Sequence, residues 1–226
     1  GKSIFIEILI IQFLQVGDVG DDIPEVYICD PKNSDLSQLS HYFDETHVSS
    51  SLNGIAKICR LVVEEMEARY EFMQENFKYG SSYLDHDLLP VWLVFDEMGA
   101  FQANGTDKNS KAIVNEVMDY IRQIILKGRQ AGVFILVSSQ QMSANTLNTD
   151  LRDNLGLRVA LGANSQEGYK MVFGSASPTP QPIEEKGAGF LYLQGSGKET
   201  AQYYEAPWVD REKYNFIEEI TKYTSV

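Results

Sequence analysis

Cysteine is nearly absent from this 226-residue chain, which carries only Cys29 and Cys59. They form no C-x-x-C pair, which points to a reducing compartment. Histidine is as scarce, and His41, His47 and His86 stand at no metal-ligand spacing, so no structural metal is expected. Long hydrophobic runs are missing as well. The richest stretch, SIFIEILIIQFLQVG (3–17), contains Glu7, Gln12 and Gln15 and is too short to cross a bilayer. No small-residue cleavage site follows it, so it does not read as a signal peptide, and no membrane contact by residues 1–226 is expected. Positive charge is in deficit: 19 Lys and Arg face 32 Asp and Glu, a formal net charge of −13. This excludes a protein whose whole surface coats nucleic acid, because neutralising phosphates takes clustered cations. It leaves room for contact with DNA through a small inner surface. An acidic exterior also keeps a chain soluble without any partner.

What the chain does have is apolar content, 43% of its residues, enough for one substantial core; a single domain over 1–226 is the expectation. Short apolar runs alternate with helical patterns. The runs are EVYICD (25–30), VWLVFDE (91–97), VFILVSSQ (133–140), LRVALG (157–162), GFLYLQ (189–194) and TAQYYEA (200–206). Unbroken Val, Ile, Leu and Phe over five or six residues suit strands covered on both faces. Between them, 53–77 carries Ile55, Ile58, Val62, Met66, Tyr70 and Met73 at helical spacing, and 110–128 repeats the pattern and ends on Lys127 and Gly128. Residues 4–16 and 214–223 also read as helices, and the three prolines of 175–187 mark a surface loop. Strand-helix alternation implies an α/β fold with a mostly parallel central sheet flanked by helices. Ligands of such sheets bind beyond the carboxyl ends of the strands.

Three strands end on that rim in polar residues: CDPK (29–32), Asp96-Glu97, and SSQQ (138–141). Ionised carboxylates at the tip of a buried strand are costly unless a ligand, cation or partner meets them. The plainer alternative is that the strand simply ends in a solvated turn. Gly1, Lys2 and Ser3, followed directly by a helical run, match the tail of the phosphate-binding loop G-x-x-x-x-G-K-[ST]. In such loops backbone N–H groups and the helix N-terminus cradle phosphates, the lysine reaches the terminal phosphates, and the hydroxyl binds magnesium. Alone, the tripeptide is better explained by chance or a cloning scar. Together with the acids it fits phosphoryl transfer, Asp96 in the magnesium shell and Glu97 orienting and deprotonating the attacking water. Gln140 either contacts the terminal phosphate or the water, or closes a turn.

These motifs, in this order, resemble the FtsK/SpoIIIE motor domains, RecA-like P-loop ATPases that pump double-stranded DNA. The resemblance runs through GKS, DPKNSDL (30–36), VEEMEARYEFM (63–73), LPVWLVFDE (89–97), GRQAGVFILVSSQ (128–140), LRDNLGLRVALG (151–162) and KGAGFLYL (186–193). Within the family it is most similar to the coupling proteins of Gram-positive conjugative elements, which share DPKNSDL, GRQAGVF, LRDN and GYKMVFGS (168–175). The resemblance implies ATP and Mg2+ as cofactors and a homo-hexamer with a central DNA pore. It also implies conjugation-channel or relaxase partners, and a cytoplasmic domain anchored at the inner face of a bacterial membrane. It casts Gly1, Lys2 and Ser3 as nucleotide ligands, Ser3 and Asp96 as magnesium ligands, Glu97 as the catalytic acid and Gln140 as a sensor. Arg129 becomes the candidate arginine finger; a cation at a helix C-terminus is also favourable without catalysis. Arg152 and Arg158 are further candidates for nucleotide or subunit contacts, and 141–153 for the pore lining. The family often reads Thr-Gln-Arg-Pro where this chain has Ser139, Gln140, Gln141 and Met142. The glycine-rich half of the phosphate loop and the strand before it lie outside the sequence. An incomplete motor domain with weak or no nucleotide binding is therefore expected. The alternative function is a related secretion ATPase acting on polypeptides.

Overall fold

The computed structural model describes residues 1–16, 23–140, 146–210 and 212–224. They fall into two compact units, one of Gly1–Leu9 with Gln141–Phe216, the other of Ile10–Gln140 with Ile217–Val226. Helix α1 is Lys2–Gln15.

The second unit holds a four-stranded, all-parallel sheet of β1 (Glu25–Cys29), β2 (Val48–Ser49), β3 (Val91–Phe95) and β4 (Val133–Val137), in the order β2-β1-β3-β4. The apolar runs are legible in it because both faces are covered. Tyr27, Cys29, Leu93 and Phe95 point, two residues apart, into a core shared with α2 (Leu52–Glu75) and α4 (Lys108–Ala131), through Ile55, Cys59, Val62, Met66, Val117 and Ile121. On the other face Trp92 stacks on Phe13, rings 3.8 Å apart and 3° from parallel, and on Phe134 at 4.8 Å. Such pairs add about 0.5–1.5 kcal/mol each beyond burial. Helix α2 starts at Ser51, whose hydroxyl accepts from the Gly54 N–H at 3.1 Å. Helix α4 starts at Asp107, whose carboxylate accepts from the N–H groups of Asn109 and Ser110.

The end of α4 departs from the sequence reading. The helix runs past Gly128 to Ala131, and Gly132, with φ +74°, provides the left-handed cap instead. Gly128 answers a different demand: a Cβ there would sit 2.2 Å from the carbonyl oxygen of Val133. Arg129 thus lies inside the last helical turn, not beyond it.

In the first unit β5 (Leu157–Leu161), β6 (Ala188–Leu193) and β7 (Gln202–Glu205) form an antiparallel sheet. The parallel expectation therefore holds for the four-stranded sheet and gives way here. A core of Ala160, Tyr169, Phe173, Ala176, Phe190 and Ala201 backs this sheet, with Tyr169 edge-on to Phe190 at 5.3 Å. Helices α5 (Thr149–Asp153) and α6 (Gln166–Phe173) belong to the same unit. The short helices α3 (Met98–Ala103) and α7 (Phe216–Ile220) complete the described α-helices. Among the described residues no helix is long and apolar enough to cross a membrane.

Candidate active site

Three strands of the parallel sheet finish in one row. Cys29 is registered with Phe95, and Phe95 with Val137. The ladder then runs one step further: the Asp96 N–H donates to the Cys29 carbonyl at 2.9 Å, and the Ser138 N–H to the Phe95 carbonyl at 2.9 Å. Asp30, Asp96 and Ser138 therefore occupy the same row at the carboxyl edge, and the rim expected from the sequence is assembled. Asp96 is buried, and its Oδ1 accepts a hydrogen bond from the Ser138 hydroxyl.

Glu97, 5% exposed, is held from both sides. Its Oε1 accepts from the Ser139 hydroxyl at 3.1 Å and from the Gln140 N–H at 2.9 Å. Its Oε2 lies 3.4 Å from the Lys32 ammonium. Its backbone sits at φ 53°, ψ 58°, a left-handed conformation uncommon for a side chain of this kind. The chain leaves β3 and enters α3 within that single residue. The Met98 N–H donates to the Ser138 carbonyl, and the Glu97 carbonyl accepts from Ala100 and Phe101.

Lys32 reaches Glu97 because the turn after β1 is fixed from within. The Asp30 carboxylate oxygen Oδ2 accepts from the Ser34 N–H at 2.7 Å, the Ser34 hydroxyl at 2.9 Å and the Ser37 N–H at 3.0 Å. Asn33 takes φ 53° to close the turn. Asp30 is fully buried, and its second oxygen, Oδ1, has no hydrogen-bond partner among the described residues.

The sequence-predicted residues thus divide. Asp96, Glu97 and Gln140 come together, Gln140 through its backbone N–H while its side chain is exposed. Lys2 and Ser3 open the first turn of α1, with Gly1 ahead of them, and belong to the other unit. Arg129 is exposed at the last turn of α4, whose cap, Gly132, bonds to Val91 at the amino-terminal edge of the sheet. It is not part of the cluster at the carboxyl edge. Arg152 and Arg158 brace their own unit. Both bind the Asp153 carboxylate, Arg152 holding it below the ordinary acidic range, and Arg158 lies 4.8 Å over the Tyr192 ring. Of the pore segment expected at 141–153, residues 141–145 lie outside the described residues. Sequence reading gave no role to Lys32, Ser138 or Ser139. The available signal was their position on the same rim as the acids.

The donor set at the edge is hard oxygen, carboxylate and hydroxyl, which suits magnesium. Among the described residues no group of three His, Cys, Asp or Glu could hold a metal alone.

A parallel sheet with paired acids at the end of an inner strand has the fold of P-loop ATPase motor domains. This chain has as homologues an FtsK domain-containing protein and DNA translocases. It is 34% identical over 198 residues to the FtsK domain-containing protein YdcQ of Bacillus subtilis, covering 87% of this chain and 39% of that protein. It is 26% identical over 211 residues to the DNA translocase SftA of the same organism, covering 88% of the chain and 21% of SftA. The chain thus spans well under half the length of these relatives. No family model matches it. Among solved structures, the pCW3 conjugation coupling protein TcpA with ATPγS superposes at a TM-score of 0.70 with 16% identity, over 88% of this chain and 56% of that one. The type VII secretion ATPase EccC of Thermomonospora curvata shares the fold at 0.53 and 18%, over 88% and 24%.

Proposed function

We propose that this chain is the ATP-hydrolysing core of a DNA translocase, of the kind that feeds a conjugative element's DNA to its transfer channel. The observation that carries the reading is the pair Asp96-Glu97 at the end of β3, met by Ser138, Ser139 and Gln140, which follow the neighbouring strand β4. Glu97 takes a proton from water as the water oxygen bonds to the γ-phosphorus. The bond to the bridging oxygen breaks, and ADP leaves with the electron pair. Asp96 would hold the magnesium that accompanies ATP, which neutralises charge on the transferred group, and the family resemblance alone gives Ser3 a magnesium ligand's role. Gly1 and Lys2 receive the phosphates at the start of α1. Gln140 acts as sensor and Arg129 as the finger offered to a neighbouring subunit of a hexamer. The name of one sequence relative, the DNA translocase SftA, favours DNA over polypeptide as cargo.

The test is ATP hydrolysis by the chain carrying a complete phosphate loop ahead of Gly1, with and without double-stranded DNA. DNA should raise the rate, and Glu97→Gln should lower it by about 10²–10⁴-fold, the usual contribution of a general base. Hydrolysis indifferent to DNA would move the reading to polypeptide cargo. No hydrolysis would remove the motor assignment.

A further inference from the structure

We infer that Lys32 is a positioning residue that latches Glu97 in a resting state, so that hydrolysis waits on the parting of this pair. The inference rests on Glu97 being the base of the proposed ATPase. A general base must meet its water within about 2.6–3.2 Å, directly or through one further water. Here both carboxylate oxygens are already engaged: Oε2 by the Lys32 ammonium at 3.4 Å, Oε1 by the Ser139 hydroxyl and the Gln140 N–H. The side chain is only 6% exposed.

The two halves of this grip differ in kind. Ser139 and Gln140 follow directly on β4 and hold Oε1 through short-range donors, one of them backbone. Lys32 is a point charge on a flexible stem, 38% exposed, and so is the half that can let go. Its turn is nonetheless built to present it. Asp30 Oδ2 gathers three donors of that turn, and Asn33 takes a left-handed conformation to close it. A turn so fixed, ending in a cation on the candidate base, exceeds what a strand needs in order to end.

A two-state latch scales the DNA-free turnover by the fraction of molecules whose Glu97 is released. The chain with a complete phosphate loop is assayed as Lys32→Met and Lys32→Arg, with Glu97→Gln alongside. Lys32→Met should raise the DNA-free kcat about two- to five-fold, the range for an ion pair with one partner in solvent. The KM for ATP and the DNA-stimulated kcat should stay unchanged, so the stimulation ratio shrinks by the same factor. Lys32→Arg, which keeps the cation, should return the natural low rate. A DNA-free kcat that is unchanged or lower in Lys32→Met overturns the latch, as does an equal rise in Lys32→Arg. Glu97→Gln hydrolysing at the natural rate removes the base and with it the ATPase reading, a separate outcome from failure of the latch alone.

Discussion

Glu97 keeps a left-handed backbone where glycine would sit without strain, at a cost of about 1–3 kcal/mol that the surroundings must offset. The offsets are visible: the side chain meets Lys32, Ser139 and the Gln140 N–H, and the backbone carbonyl opens α3. Strain retained by so many contacts is characteristic of residues that act, whereas Cys29 and Cys59 show the opposite pattern. Both thiols are free, fully buried and placed in the core behind β1. Burial first, then the Cys59 thiol, push the Cys29 thiol well above its ordinary value. Native protein at pH 8 should therefore resist a thiol-specific reagent, and urea should release both cysteines to full labelling. Rapid labelling of the native chain would mean that this core opens far more easily than its packing implies.

At the scale of elements, the contact between the end of α4 and the start of β4 sets how closely helix and sheet approach. Gly128→Ala improves helix propensity by up to about 1 kcal/mol. The added methyl, however, would lie 2.2 Å from the backbone oxygen of Val133, which a flexible side chain could evade and a strand cannot. The clash wins, and urea denaturation should show a net loss of about 1–3 kcal/mol. An unchanged midpoint would show that the helix end slides freely. This element also marks a limit of reading the chain unaided. A glycine after helical periodicity signals a stop, and Gly128 carried that signal, yet its smallness serves packing while Gly132 ends the helix. The cue is the same residue type in both places. Only the neighbouring strand tells them apart.

For the molecule as a whole, the parallel sheet and its acidic rim were legible because unbroken apolar runs mark strands covered on both faces, and each ran straight into polar residues. The grip of Lys32 on Glu97 was not. It depends on β1 lying beside β3 although 61 residues separate Cys29 from Val91, an adjacency that no local pattern encodes. The antiparallel pairing of β5, β6 and β7 was hidden for a related reason, since a short apolar run specifies burial and not direction. The order β2-β1-β3-β4 carries one further consequence. Among the described residues β4 bonds within its sheet only to β3, so one side of Phe134–Val137 has no ladder partner among them. Sticky margins of this sort are places where copies of a chain can zip together. What opposes it in dilute buffer is mutual repulsion between particles carrying −13 each. Shortening the reach of that repulsion from about 30 Å at 0.01 M salt to about 3 Å at 1 M should make light scattering rise with protein concentration. Scattering flat across that range would show the margin to be covered. Colloidal behaviour thus becomes a readout of sheet order.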